Sequence, residues 1–71
     1  MTNLAEALVA KINEMNAVII PGYVEIIPLA PMARITVQIM RVLTEEAVAA
    51  LCSGDVQRMI RAYGGIKDYK P

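Results

Sequence analysis

Residues 32–43, MARITVQIMRVL, decide the fold, because they read two ways. As a strand, the run Arg34 to Ile39 alternates polar and apolar without a fault and is rich in β-branched residues. As a helix, Arg34, Gln38 and Arg41 share one polar stripe, and Met32, Ile35, Ile39, Val42 and Leu43 share the face opposite. The alternation fails after Ile39, whereas the helical stripe continues to Leu43. Pro31 also suits the first turn of a helix, where its missing N–H costs nothing. The helical reading is favoured, and with it a mainly α fold of two to three helices. The strand reading gives the alternative, an α-β-β-α order with a hairpin at 23–42.

The segment before it is the clearest helix. Asn3 can cap it, with Glu6 three residues on in the capping-box position. Leu4, Leu8, Ile12 and Met15 fall on one stripe, and the helix is expected to end near Asn16. Residues 17–31 form an apolar connector in which Pro21, Pro28 and Pro31 forbid a regular helix. Pro21-Gly22 suits a type II turn, and Val18–Ile20 and Tyr23–Ile27 are extended in character.

Beyond Leu43, Thr44 is a good N-cap, with Glu45 and Glu46 near the positive helix end and Leu43 placed to staple against Val48. Ser53-Gly54-Asp55 breaks the pattern, and Asp55 can cap a further helix. Val56, Met59, Ile60 and Tyr63 continue the apolar stripe until Gly64-Gly65 stops it, leaving a polar, mobile tail.

All 71 residues form one domain, 1–71, of which 56% are hydrophobic. So small a domain buries little of its surface alone, and such domains gain support from disulfides, metals or association. Cys52 is the only cysteine and there is no histidine, so a disulfide within the chain cannot form and the thiol and imidazole ligands usual in a tetrahedral metal site are lacking. Association remains, and a homodimer is expected. Its interface would draw on Leu4, Leu8, Ile12, Met15, Ile35 and Ile39.

The same absences argue against an enzyme. The commonest general base is missing, Cys52 lacks a histidine to activate it, and Glu45-Glu46 serve the helix dipole. Cys52 reads as a packed small hydrophobe. No catalytic residue, metal, cofactor or small-molecule substrate is expected. No run is long enough to span a bilayer and no signal peptide opens the chain, so a cytoplasmic protein without a membrane partner is expected.

Seven basic and seven acidic residues cancel, which disfavours a general nucleic-acid binder. They are unevenly spread, however: residues 1–33 set Lys11 against Glu6, Glu14 and Glu25, while residues 34–71 hold six basic and four acidic side chains. Residues 45–65 can be laid on a helix-turn-helix presenting Gln57, Arg58 and Arg61 to DNA, which makes a dimeric transcriptional regulator the alternative function. Asp55 at the start of that helix would repel phosphate, and a plain helical corner explains the pattern as well. The preferred function is protein binding. Arg34, Arg41, Arg58, Arg61 and Tyr63 are residue types that dominate interfaces, and five methionines suit either an adaptable surface or a core without Phe or Trp.

The opening MTNLAEALVAKINEMN and the later GDVQRMIRAYGG resemble small early proteins of Mu-like phages of Pseudomonas, among them quorum-sensing anti-activators. The resemblance implies a dimeric helical inhibitor in the host cytoplasm. It would bind a host protein, a LuxR-type regulator and also the type IV pilus assembly ATPase.

Overall fold

The computed structural model describes residues 3–71. Met1 therefore lies outside the described residues. The chain is helical wherever it is regular, with no strand among the described residues. The 32–43 stretch is helix, and the hairpin alternative at 23–42 is set aside. Three helical rods pack together: a first rod from Leu4 to Ile26, then α3 and α4.

The first rod starts as α1 (Leu4–Glu14), capped by Asn3, whose Oδ1 accepts from the Glu6 N–H at 2.8 Å. It does not end near Asn16. It passes into one π turn (Met15–Ile19) and continues as α2 (Ile20–Ile26). Pro21 explains the π turn, since its ring cannot donate and clashes with the carbonyl four residues back in a plain α-helix. Widening the turn carries the Ile20 N–H to the Met15 carbonyl and leaves Pro21 in the opening turn of α2, where no donor is needed. Local rules see only the cost of the proline. Burial of Met15, Ile19 and Ile20 on the inner face outweighs it. The Pro-rich connector expected at 17–31 thus shrinks to the turn between Ile26 and Ala33, and neither the type II turn nor the extended runs form.

In that turn, the N–H groups of Leu29 and Ala30 close back on the Ile26 carbonyl at 3.0 and 2.8 Å. Pro31 stands two residues before α3 (Ala33–Ser53), not at its first position. α3 runs unbroken through Thr44, which caps nothing. Thr44 is buried mid-helix with its hydroxyl donating to the Met40 carbonyl at 2.7 Å. The chain turns at Gly54, whose φ of 73° is left-handed. Asp55 then caps α4 (Val56–Ile66) by accepting from the Arg58 N–H at 3.2 Å.

Gly64-Gly65 does not stop α4. The helix continues one residue further because Ile66 is wholly buried. Nor is the tail loose: Tyr69 packs on the core, and Lys11 Nζ donates to its carbonyl at 2.6 Å while pairing with Glu14 at 2.6 Å.

Leu8, Met15, Ile19, Met40 and Ile66 form the fully buried centre, so every rod contributes. Met59 joins them, and methionine acts here mainly as core filler. Ala47 and Ala50, both fully buried, let α4 lie close against α3.

Candidate interaction face

α3 has two apolar faces. Ala33, Val37, Met40, Thr44, Ala47 and Ala50 recur at spacings of three and four and are buried. On the other side Met32, Ile35, Ile39 and Val42 recur at three, four and three, and are 74, 56, 50 and 63% exposed. Leu29, in the turn before the helix, is 88% exposed and extends the row. A recess of about 250 Å³ lined by Gln38, Ile39, Val42 and Leu43 marks its middle.

The proposed self-association residues divide. Leu8, Ile12 and Met15 are buried in the chain's own core and Leu4 is half-buried against it, so that stripe is not a free surface. The first rod has the two other rods to cover it, and periodicity alone could not say so. Ile35 and Ile39 are on the outward face of α3.

The candidate partner-binding residues are spread around α3 and α4, and Arg41 lines an open groove against the first rod with Glu25, Thr44 and Glu45. Arg34 and Arg41 are exposed, one turn either side of Gln38. Across Leu43, Arg61 and Arg58 of α4 line a second recess of about 350 Å³ with Glu46 and Gly65. Arg58 grips Glu46 in a fork, Nε to Oε1 at 2.8 Å and Nη2 to Oε2 at 3.2 Å. These bonds hold the Glu46 carboxyl below the usual carboxylate range, the Arg61 charge adds to the effect, and Glu46 in turn raises Arg58. Arg34, Arg41 and Arg61 make no ion pair among the described residues. Tyr63 is half-buried, its ring packed on the core.

Several expectations shift. Cys52 is exposed and not packed, because it lies a turn beyond Val48 on an outward row. Val56 and Ile60 are more than half exposed, so only Met59 and the half-buried Tyr63 of that stripe face inward. The feature that sequence reasoning missed is the second α3 face, Val37 with Met40 and the alanines, whose small side chains gave no stripe to notice.

Among the described residues, no group of three or more carboxylates or thiols could hold a metal. No helix among the described residues is long and apolar enough to cross a membrane. No family model, curated protein or solved structure matches the chain.

Proposed function

We propose that this chain is a non-enzymatic protein-binding inhibitor or adaptor that docks another polypeptide on the outward face of α3. The observation that carries the reading is the row Met32, Ile35, Ile39, Val42, which keeps helical register yet lies open to water. Apolar side chains at such spacing on a helix are anchors for a second helix or a groove. Scattered exposed aliphatics need no explanation, but a contiguous row does. The host-directed role implied by the phage resemblance, against a LuxR-type regulator or a pilus ATPase in the cytoplasm, would be one use of this face. The homodimer would be another. Helix-turn-helix binding to DNA fits less well, because Arg58, central to that reading, is held by Glu46.

Affinity capture with the intact chain and with its I35E/I39E variant tests the proposal. A partner retained by the first and lost by the second, with helicity unchanged, supports it. Identical captures from both would overturn it.

A further inference from the structure

The π turn leaves a backbone acceptor open. A helical carbonyl points along the axis toward the residues four and five ahead, which for Asn16 are Ile20 and Pro21. The Ile20 N–H is spent on the Met15 carbonyl, and Pro21 has no N–H to give. Asn16, Ile20 and Pro21 all line the open groove of about 700 Å³ between the first rod and α3. The Asn16 carbonyl therefore opens on that groove without a helical donor. The groove lies on the far side of α3 from the exposed row, since Arg41 and Val48 are each about half a turn around the helix from Ile39.

The groove also holds an uneven set of charges. Two carboxylates, Glu25 and Glu45, share it with one guanidinium, Arg41, and none of the three makes an ion pair among the described residues. One negative charge is left over. The first rod and α3 run in opposite directions from a short turn. Glu25 thus stands at the Arg41 end of the groove and Asn16 at its Val48 end, with Pro21 and Glu45 between. Glu25 balances Arg41 at the one end, and the Glu45 carboxylate shares the middle with the open Asn16 carbonyl. Ile20, Val24 and Val48 supply the apolar wall around them.

Two acceptors among aliphatic side chains favour a donor-rich cation on an aliphatic stem. A polyamine carries more charges than one spare carboxylate balances. A lysine side chain carries one charge, three donors and four methylenes. From Asn16 to Glu25 the wall is about 14 Å long, room for roughly four residues of extended chain. Resting on the protein-binding reading but on a different face, we infer that this groove seats a lysine of a partner protein. Its ammonium would sit between the Glu45 carboxylate and the Asn16 carbonyl, and its stem would lie along Ile20, Val24 and Val48.

The test uses the full chain, two end-capped peptides of about four residues that differ only in lysine or norleucine at one position, and spermidine. Norleucine keeps the stem and lacks the charge. Backbone NMR shifts report where each probe binds. The lysine peptide should shift residues 16–25 and 41–48 and bind roughly fivefold tighter than the norleucine peptide, a margin that shrinks as salt rises. E45Q should bring the two peptides to equal affinity. P21A restores an N–H at position 21, so the Asn16 carbonyl gains a donor whether the π turn persists or straightens, and the lysine preference should fall with helicity retained. Equal binding of both peptides by the parent chain, or a lysine preference untouched in E45Q and P21A, would overturn the inference. Tighter binding of spermidine than of the lysine peptide at the same residues would overturn the protein source. Shifts confined to Met32–Val42 would overturn the groove and leave the outward face standing. No shift with any probe would also overturn the groove, while the outward face stands or falls by the I35E/I39E capture.

Discussion

Ile39 and Met40 are neighbours in sequence and lie on different faces of α3, about 100° apart around the helix. Met40 is fully buried against the other rods, and Ile39 is half exposed on the outward face. The inner face is built from small or flexible residues, Ala33, Val37, Ala47 and Ala50 around Met40, so that two rods can approach closely. The outer face carries Met32, Ile35, Ile39 and Val42, each at least half exposed. Hydrophobic burial within one chain explains the first face. The second is the face that the proposed partner would cover.

The largest expected effect separates the two directly. Met40→Ala should destabilise the chain by about 2–5 kcal/mol, since it opens a cavity in a close-packed centre. Ile39→Ala removes a half-exposed side chain and should cost well under that, within about 1 kcal/mol. Thermal unfolding of the two variants checks the pair, with Met40→Ala lowering the midpoint by roughly 10 °C or more. Similar losses from both would mean that Ile39 is covered in solution.

The next effect concerns the corner that folds α4 onto the inner face. Gly54 has a φ of 73°, and nothing lies within 4 Å of where a Cβ would stand. Space is therefore no obstacle, and backbone conformation alone sets the cost. Gly54→Ala should cost about 1–2 kcal/mol by denaturant unfolding. A neutral result would show that the corner relaxes without disturbing the α3–α4 contact.

Much of this was legible in the chain. The Asn3 cap, the Leu4–Met15 stripe, the Gly54-Asp55 corner and the helical period of 32–43 were all read from local chemistry and then found. What local chemistry misjudged were places where tertiary burial outweighs a breaker. Pro21 is absorbed by a π turn because Ile19 and Ile20 are needed inside. Gly64-Gly65 is carried through because Ile66 is. The site was half legible. Arg34, Arg41 and Arg61 stand out by residue type and are exposed, but α3 is apolar at so many positions that its period cannot say which face meets the core.

A smaller effect lies in the tail. Lys11→Met keeps the aliphatic stem but removes the hydrogen bond to the Tyr69 carbonyl, and should cost about 1 kcal/mol. Amide exchange should quicken at residues 66–69 and stay unchanged in the middle of α3. Uniform quickening would show that the tail is part of the global fold and not a local clasp.

The smallest effect tests the border of the outward face. Glu46 is exposed, and its carboxyl is held below the ordinary range first by the Arg58 hydrogen bonds. A carboxylate with a lowered folded value contributes stability above its unfolded value and loses it as pH falls through the folded one. The contribution is therefore present at neutral pH and fades in acid, below the usual carboxylate range. Because water screens the pair, the change should be slight. E46Q should remove it at neutral pH and flatten the acid limb of the stability curve, while freeing Arg58 to join Arg61 on the border.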